Sequence, residues 1–590
     1  MNPKKIKPNA VRIVLLILGI TVALTAIWSC QPQKPAPLSA PLLEGMGNHH
    51  LEISTDSELA QRFFDQGLTL AYGFNHREAA RAFREAINQD PECAMCHWGL
   101  ALVQGPNINA PMDPTSLGEV FMATQKAQEL KSNASDWEQA LIEALSYRYP
   151  DSTTVEREAL DQEYANAMEG VYKRFPDHQE IATLYGESLM DLHPWDLYEH
   201  DGTPKEWTPQ IVEVLENSLE RWPNNPGTNH LYIHAVEAST SPDRANVMAK
   251  RLEELVPASG HLVHMPSHIY IRTGQYHQGS VVNQLAMEAD SMYIANCNAQ
   301  GMVPLIYYPH NIHFLAATAA LEGRGDISVN AAFQLASKVD KQLMKDPDWV
   351  PLQHFFSIPY YILVKFGQWD RILEMPLEDV PYPRAVLHYA RGMAYANQGN
   401  LDQAVLELED IRQIRADSVL NDLIIWDLNM ITDLVDIATL VLTAEIDLKN
   451  GRTDQAVNSL KQAIIIEDQL NYMEPPDWFF SVRHTLGNVL LQAERYEEAE
   501  EIYNQDLYKL PENGWALSGL YLSLINQNKN EEAEAVKSRF EKAWQWANID
   551  LDGSSVSYVS YNSYDELDLF NDQLALSALD RIPLCGAIGK

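Results

Sequence analysis

A set of small and aromatic residues returns along this chain with a period near 34 residues, and no other feature of the sequence restricts the fold as strongly. In the clearest copy, within residues 63–91, the recurring positions are Gly67, Ala79, Phe83, Ala86 and Pro91. The register returns near the end of the chain, where Ala533 follows Ala499 by 34 residues. Small side chains let antiparallel helices approach closely, and proline ends a helix. The spacing therefore predicts a stack of helix–turn–helix repeats.

The register matches the consensus of the tetratricopeptide repeat (TPR), in which each helix pair buries its apolar face against the next pair. Almost no alternation typical of strands interrupts it, and no change in composition separates domains. We therefore predict an all-α protein, a TPR-type α-solenoid that winds into a right-handed superhelix over residues 55–550. Its concave groove is predicted to be rich in histidine at residues 180–360. A C-terminal tail with one short helix is predicted for residues 551–590.

The N-terminus has the pattern of an export signal. Four basic residues precede a mostly apolar run at residues 13–27, namely Lys4, Lys5, Lys7 and Arg12. The run is shorter than the roughly 20 apolar residues of a membrane span, so residues 1–29 are predicted to be a signal peptide. Cys30 follows Ser29 and is similar to the lipidated cysteine of bacterial lipoproteins. Residues 30–54 are then a lipid-anchored linker.

This pattern predicts a protein anchored by lipid in the bacterial cell envelope, at the outer membrane or facing the periplasm. An uncleaved anchor helix and ordinary secretion are the alternatives. The chain has 43 Lys and Arg residues against 81 Asp and Glu residues, a formal net charge of −38. Phosphate binding requires a basic surface, so nucleic acid is excluded as a partner. Contact with the membrane is expected only through the anchor, and cations are the favoured small partners.

The histidines are concentrated in one part of the chain. Ten of the 18 lie between His193 and His313. Two i, i+4 pairs, His230/His234 and His264/His268, are 34 residues apart, which is one TPR period. The repeat register directs these pairs into the same stretch of the groove. The predicted metal ligands are His230, His234, His261, His264, His268, His310 and His313, with Glu187, Asp191, Glu237 and His354 as further candidates.

Imidazoles at i, i+4 on one helical face can hold one metal ion. A set of imidazoles and carboxylates suits a transition metal such as Zn, Cu or Fe better than Ca or Mg. Four protein ligands would make a structural site, whereas three and a water would make a Lewis acid. The pairs could hold one ion or two close ions. Binding of a carboxylate peptide by imidazolium groups and simple packing are the alternatives.

A second motif indicates a different cofactor. Cys93, Cys96 and His97 match the CxxCH sequence to which c-type haem is attached. The same residues begin the first helix of a TPR directly after Pro91. A buried pair of thiols or a local disulfide is therefore the alternative to a c-type haem protein.

Several strings of the sequence resemble a family of bacterial TPR-repeat proteins, mostly uncharacterised, that often carry lipoprotein signals. The strings include GPNINAPM, NHLYIHAVEAS, HLVHMPSHIYIRTGQY, YYPHNIHFL and YMEPPDW, and the resemblance covers residues 60–525. It implies an α-solenoid and no established reaction. Some residues of these strings are not required by the repeat and are therefore predicted to contact a substrate in the groove, namely Asn107, Asn109, Tyr307, Tyr308, Glu474 and Trp478.

Two functions follow from the sequence. In the first, the groove holds a His-rich transition-metal site, which would be catalytic if a coordination position is open. In the second, the solenoid is a scaffold that binds peptides or proteins in the envelope without metal or catalysis.

Overall fold

Helices form most of the described chain. The computed structural model describes residues 38, 40–150, 156–297, 299 and 301–559. The predicted signal peptide, the predicted lipidation site Cys30 and the short helix expected near the C-terminus lie outside these residues. Residues from Leu42 onward form one structural unit, which contains all the helices named below.

The helices follow one another with short connections. The N-terminal helices are α1 (Glu58–Tyr72), α2 (His76–Gln89), α3 (Ala94–Leu102), α4 (Leu117–Leu130), α5 (Asp136–Arg148), α6 (Arg157–Arg174) and α7 (Gln179–Met190). The central helices are α8 (Thr208–Arg221), α9 (Pro226–Val236), α10 (Asn246–Leu255), α11 (Gly260–His264), α12 (Pro266–Arg272), α13 (Tyr276–Cys297), α14 (Tyr308–Leu321), α15 (Gly325–Lys338) and α16 (Val350–Lys365). The C-terminal helices are α17 (Trp369–Glu374), α18 (Pro381–Asn397), α19 (Leu401–Arg415), α20 (Ile431–Lys449), α21 (Thr453–Glu467), α22 (Val482–Gln492), α23 (Tyr496–Lys509), α24 (Gly514–Asn526) and α25 (Asn530–Ala543).

Strands occur in the described residues only as two short antiparallel hairpins. β1 (Ile424–Ile425) pairs with β2 (Asn429–Met430), and β3 (Ile549–Asp552) pairs with β4 (Ser555–Val559). The second hairpin lies where the sequence predicts the tail to begin. The prediction of an all-α fold is confirmed.

The repeat is held together by one aromatic ring that fills the space between two glycines. A Cβ atom on Gly67 of α1 would lie 2.9 Å from the Phe83 ring of α2, and one on Gly99 of α3 would lie 2.3 Å from it. The last repeats have the same arrangement, in which the Tyr503 ring packs against Gly487 and Gly519. The small residues of the sequence pattern are therefore the positions where consecutive helix pairs make their closest contact.

The central helices depart from the regular repeat where the predicted ligands are found. The helix that carries His261, His264 and His268 is divided between α11 and α12, because Pro266 has no N–H to continue the helical ladder. The His268 N–H bonds the carbonyl of Met265, three residues back, at 3.1 Å. A π-helical turn, Val303–Tyr307, precedes α14.

None of the helices in the described residues is long and apolar enough to span a membrane.

The glycine contacts give a direct test of the packing. Gly99→Ala should lower the free energy of unfolding by about 1–3 kcal/mol, because the added methyl group overlaps the Phe83 ring. The matched control is Gly170→Ala in the interior of α6, where a Cβ would meet nothing within 4 Å. The control should gain up to about 1 kcal/mol from the better helix propensity of alanine. Urea unfolding followed by circular dichroism measures both, and a shift of both variants in the same direction would contradict the assignment.

Candidate metal centre

Six of the predicted histidines converge into two groups of three. The first triad is His230 and His234 of α9 with His261 of α11, and the second triad is His264 of α11, His268 of α12 and His310 of α14. Within each triad, one ring nitrogen from every member lies within 4.8 Å of the others. Five of the six residues are buried, and His310 is partly exposed. The stacking of the two i, i+4 pairs predicted from the repeat period is thus present.

In the first triad, a backbone carbonyl determines which nitrogen of His230 carries the proton. His230 Nδ1 lies 2.6 Å from the carbonyl oxygen of Tyr72, the last residue of α1. Because a carbonyl only accepts, Nδ1 must donate, and Nε2 of the neutral ring is left with a lone pair. This Nε2 lies 3.2 Å from His261 Nε2. The Phe74 ring packs against all three imidazoles, with centroid distances of 4.5, 6.2 and 5.5 Å to His230, His234 and His261.

In the second triad, an amide fixes the proton of His264. His264 Nδ1 lies 2.7 Å from Asn283 Oδ1, and the Asn283 amide group donates to the Gly279 carbonyl at 2.7 Å, which orients Oδ1 towards the ring. His264 Nδ1 therefore donates, and its Nε2 carries a lone pair. This Nε2 lies 2.9 Å from His268 Nε2. The Phe314 ring of α14 packs against His264 and His268 at 4.8 and 4.7 Å.

Glu237 connects the two triads. Its Oε1 accepts a hydrogen bond from His234 Nδ1 at 2.6 Å, and its Oε2 accepts one from His268 Nδ1 at 2.5 Å. Burial raises the pKa of this carboxyl, but the charges and hydrogen bonds of His268 and His234 outweigh burial and lower the pKa to about 2. The carboxylate is therefore ionised and accepts from both Nδ1 atoms, and in the neutral form of each ring Nε2 carries a lone pair. His234 Nε2 is buried and has no hydrogen-bond partner.

When both rings are neutral, lone pairs face each other in the second triad. Neither His264 Nε2 nor His268 Nε2 then carries a proton, yet the two atoms are 2.9 Å apart. Burial lowers the pKa of His264 well below 6.5, and the nearby His268 lowers it further. The pKa values of His230, His261 and His310 are also well below 6.5 because of burial and of repulsion between the rings. Burial therefore disfavours an extra proton on these four rings.

A cavity of about 1100 Å³ adjoins the first triad at His234 and the bridging carboxylate Glu237. His234 and Glu237 lie in its wall, together with Trp195, Glu474 and Trp478. Glu474 is buried, and its Oε2, which has no hydrogen-bond partner, lies 3.4 Å from His268 Nδ1. The segment between α21 and α22 supplies Glu474, which lies beside the second triad, and Trp478, which lies in the cavity wall and packs against Tyr361 at 5.3 Å.

The other predicted substrate residues divide into two pairs. Tyr307 packs against His261 with a ring-centroid distance of 4.7 Å, and its hydroxyl interacts with the Asn109 side chain. Tyr308 and Asn107 have other contacts: the Tyr308 ring lies 5.3 Å from the Lys338 amine, and the Asn107 amide lies 3.3 Å from His76 Nε2.

Four predicted ligands lie outside both triads. The rings of His313 and His354 are 5.6 Å apart, and Tyr382 contacts His354 Nδ1 at 3.0 Å. Asp191 accepts a hydrogen bond from Arg148 at 2.7 Å. Like Asp191, Glu187 is buried near Arg148, and both carboxyls have raised pKa values, mainly because of burial.

The CxxCH residues have a different arrangement from a haem site. Cys93 and Cys96 are bonded to each other and are buried in α3 and its N-cap. His97 Nε2 hydrogen-bonds to the carbonyl of Pro91 at 3.1 Å. Thioether bonds to haem require both thiols to be free, so the structure corresponds to the disulfide alternative.

Sequence reasoning missed the residues that surround the triads. Phe74, Phe314 and Asn283 belong to no recognisable ligand motif, and the Tyr72 carbonyl has no side-chain signature at all. A further group, His388, Glu407 and Asp410, also has metal-ligand chemistry. In that group the Arg391 guanidinium forms an ion pair with Glu407 Oε1 at 3.1 Å.

Comparison with known proteins confirms the repeat type. Residues 64–104 match a family model described as a tetratricopeptide repeat, and the curated proteins contain no match to the chain. Similar solved structures include a human IFIT1 dimer with m7Gppp-AAAA (14% identity, 80% of this chain, 94% of that chain, TM-score 0.32). They also include the APC/C hetero-tetramer Cut9–Hcn1 (12%, 90%, 77%, 0.27) and yeast Tom70 (12%, 82%, 89%, 0.26).

Proposed function

We propose that this TPR protein binds two transition-metal ions, one in each histidine triad, and that it is a metal-dependent enzyme acting on a small molecule in the adjoining cavity. The carrying observation is the convergence of three histidine nitrogens in each triad, with the Nε2 atoms of His264 and His268 2.9 Å apart. When both rings are neutral, their lone pairs repel each other, whereas a metal ion coordinated by both nitrogens removes this repulsion. Aromatic rings pack against the imidazoles, Phe74 in the first triad and Phe314 in the second.

The distances support coordination. Metal–nitrogen bonds to histidine are about 2.0–2.1 Å long, so two ligands of one ion are about 2.8–3.4 Å apart for angles between 90° and the tetrahedral value. The two Nε2 pairs, at 2.9 and 3.2 Å, lie in this range. Nδ1 atoms in both triads donate hydrogen bonds to Tyr72, Asn283 and Glu237. These hydrogen bonds orient the imidazoles, as the partners of metal-bound histidines do.

The donor set favours Zn, Cu or Fe, because the ligands are imidazoles rather than oxygen atoms. Each triad supplies three protein ligands, which leaves a position for water or substrate. Since His234 lies in the cavity wall, the position at the first triad can be reached from the cavity. A metal ion there would supply a Lewis acid or a bound hydroxide. Two adjacent ions would allow both to act on one substrate.

The second candidate is a scaffold that binds peptides or proteins without metal. The TPR match at residues 64–104 favours it, because such arrays bind partners on an extended concave surface. The two candidates differ in whether the purified protein contains metal. We also propose that Cys30 is lipidated and anchors the protein in the envelope. This location is compatible with both candidate functions.

We expect about two transition-metal ions per chain in protein purified without added metal, or after reconstitution with Zn, Cu or Fe. His264→Ala combined with His268→Ala should reduce the content to about one ion, because only the first triad is left with its ligands. Elemental analysis by mass spectrometry measures the stoichiometry. The matched control, His388→Ala, removes a histidine from the group outside the triads and should leave the content unchanged.

Absence of any stoichiometric transition metal in both preparations would refute the metal proposal and favour the scaffold. A further measurement distinguishes a catalytic site from a structural one. Azide added to the Cu- or Co-loaded protein should change its visible spectrum, because an open position accepts the anion. No change at saturating azide would indicate a closed, structural centre.

Glu237→Gln should weaken metal binding by about 10–100-fold. An amide cannot accept hydrogen bonds on both of its terminal atoms, so either His234 or His268 is no longer oriented by a hydrogen bond. Competition with a chromophoric chelator gives the affinity. Glu322→Gln is the matched control: Glu322 is equally buried and accepts from His277 at 3.0 Å, outside the triads. Equal affinities for the two variants would show that Glu237 has no special role.

The location is tested at Cys30. In a bacterial host that processes lipoproteins, the wild type should fractionate with membranes and incorporate labelled palmitate, whereas Cys30→Ser should lose the label. Unlabelled wild-type protein, or a Cys30→Ser variant that keeps the label, would overturn the assignment.

A further inference from the structure

A second group of interacting polar residues lies behind another part of the cavity wall. Phe480 and His484 line the cavity, and Lys365, the last residue of α16, contacts both. Lys365 Nζ lies 3.0 Å from His484 Nδ1 and 5.1 Å from the centre of the Phe480 ring. None of these residues belongs to the triads, and the proposed metal function does not use them.

The imidazole of His484 is oriented by a buried carboxylate. His484 Nε2 lies 2.9 Å from Asp506 Oδ2, and the Asn513 amide donates to the same oxygen at 2.9 Å. Burial raises the pKa of Asp506, but His484 outweighs burial and lowers it to about 2. Asp506 is therefore ionised and accepts the proton of Nε2. The opposite nitrogen, Nδ1, consequently presents a lone pair to the lysine amine.

Lys365 differs from surface lysines such as Lys341, which pairs with the Glu378 carboxylate at 2.7 Å. Its hydrogen-bond acceptor is an imidazole. The Asp506 carboxylate lies on the far side of that ring and attracts the lysine charge electrostatically. Burial lowers the pKa of Lys365 to about 7, although Asp506 raises it. The face of the Trp515 ring, 3.7 Å from Nζ, is a surface that ammonium prefers. The residue as a whole is half-buried, and its partners Phe480 and His484 line the cavity.

An orienting carboxylate, an imidazole acceptor and a nucleophilic atom in line are the elements of nucleophilic catalysis. We propose that Lys365 is a carbonyl-reactive residue that forms an imine with an aldehyde or ketone entering the cavity, with His484 as the proton acceptor and Asp506 as the positioning residue.

The step balances without a further reactant. The neutral amine of Lys365 adds to the carbonyl carbon, so a C–N bond forms and the π bond of C=O breaks. One proton passes from nitrogen to His484 Nδ1, which delivers it to the oxygen to give a hydroxyl group. His484 then takes the second proton from nitrogen and passes it to this hydroxyl, which leaves as water while the C–O bond breaks and the C=N bond forms. Hydrolysis reverses the sequence.

The test is reductive trapping on the full chain, both as purified and after metal removal. Acetaldehyde and sodium cyanoborohydride convert an imine into a stable N-ethyl group, and peptide mass spectrometry gives the rate at each lysine. At about pH 7, Lys365 should be labelled about tenfold faster than Lys250, a lysine whose side chain is 71% exposed. Its rate should reach half of its maximum near the pKa of about 7 and change little above it, whereas the rate at Lys250 should continue to rise.

His484→Gln should abolish this preference, and Asp506→Asn should reduce it, with circular dichroism confirming that each variant is folded. If either variant does not fold, the proposal is tested by the wild-type protein alone, through the ratio of the labelling rates at Lys365 and Lys250 and the pH profile of Lys365. Labelling of Lys365 no faster than Lys250, or a rate that rises in parallel with it, would overturn the proposal. Because the metal-free chain is tested as well, the result is independent of the metal experiments.

Discussion

The bidentate contact of Glu237 with His234 and His268 is the interaction on which the arrangement of the candidate site depends. One ionised carboxylate fixes the tautomer of a ring in each triad, and it directs both Nε2 atoms away from itself. Without it, His234 and His268 would lose their orienting partner, whereas His230 and His264 would keep theirs. The contact spans two consecutive repeats, since Glu237 follows α9 and His268 lies in α12. The geometry of the site therefore depends on the spacing between repeats.

That spacing is set by the packing of small and aromatic residues, whose positions can be read directly from the sequence. Phe83 between Gly67 and Gly99 makes helix pairs repeat at a nearly constant distance. Once the distance is constant, two i, i+4 pairs separated by one period must lie side by side. This is why the fold, the two histidine pairs, His261 and His310 could be predicted from the sequence alone, and why the stacking of α9 on α11 and α12 follows from local signals.

The remaining features could not be predicted because they depend on contacts between distant segments or on the backbone. His313 has the same helical spacing from His310 as many true ligand pairs, yet α14 directs it towards His354 and Phe479. Glu187 is a predicted ligand, but it lies near Arg148, which hydrogen-bonds to the neighbouring Asp191 in another cluster. Lys365 and His484 are 119 residues apart in the chain, and neither lies in a motif.

The hydrogen bond from His230 to the Tyr72 carbonyl joins residues 158 positions apart. A repeat array ordinarily unfolds in pieces from its ends, because each repeat contacts only its neighbours. Here the C-terminus of α1 supplies a partner for a residue in the middle of the array. An ion held by His230 would therefore favour the docked state of the N-terminal repeats by mass action. Metal occupancy would then turn two segments that could fray separately into one cooperative unit.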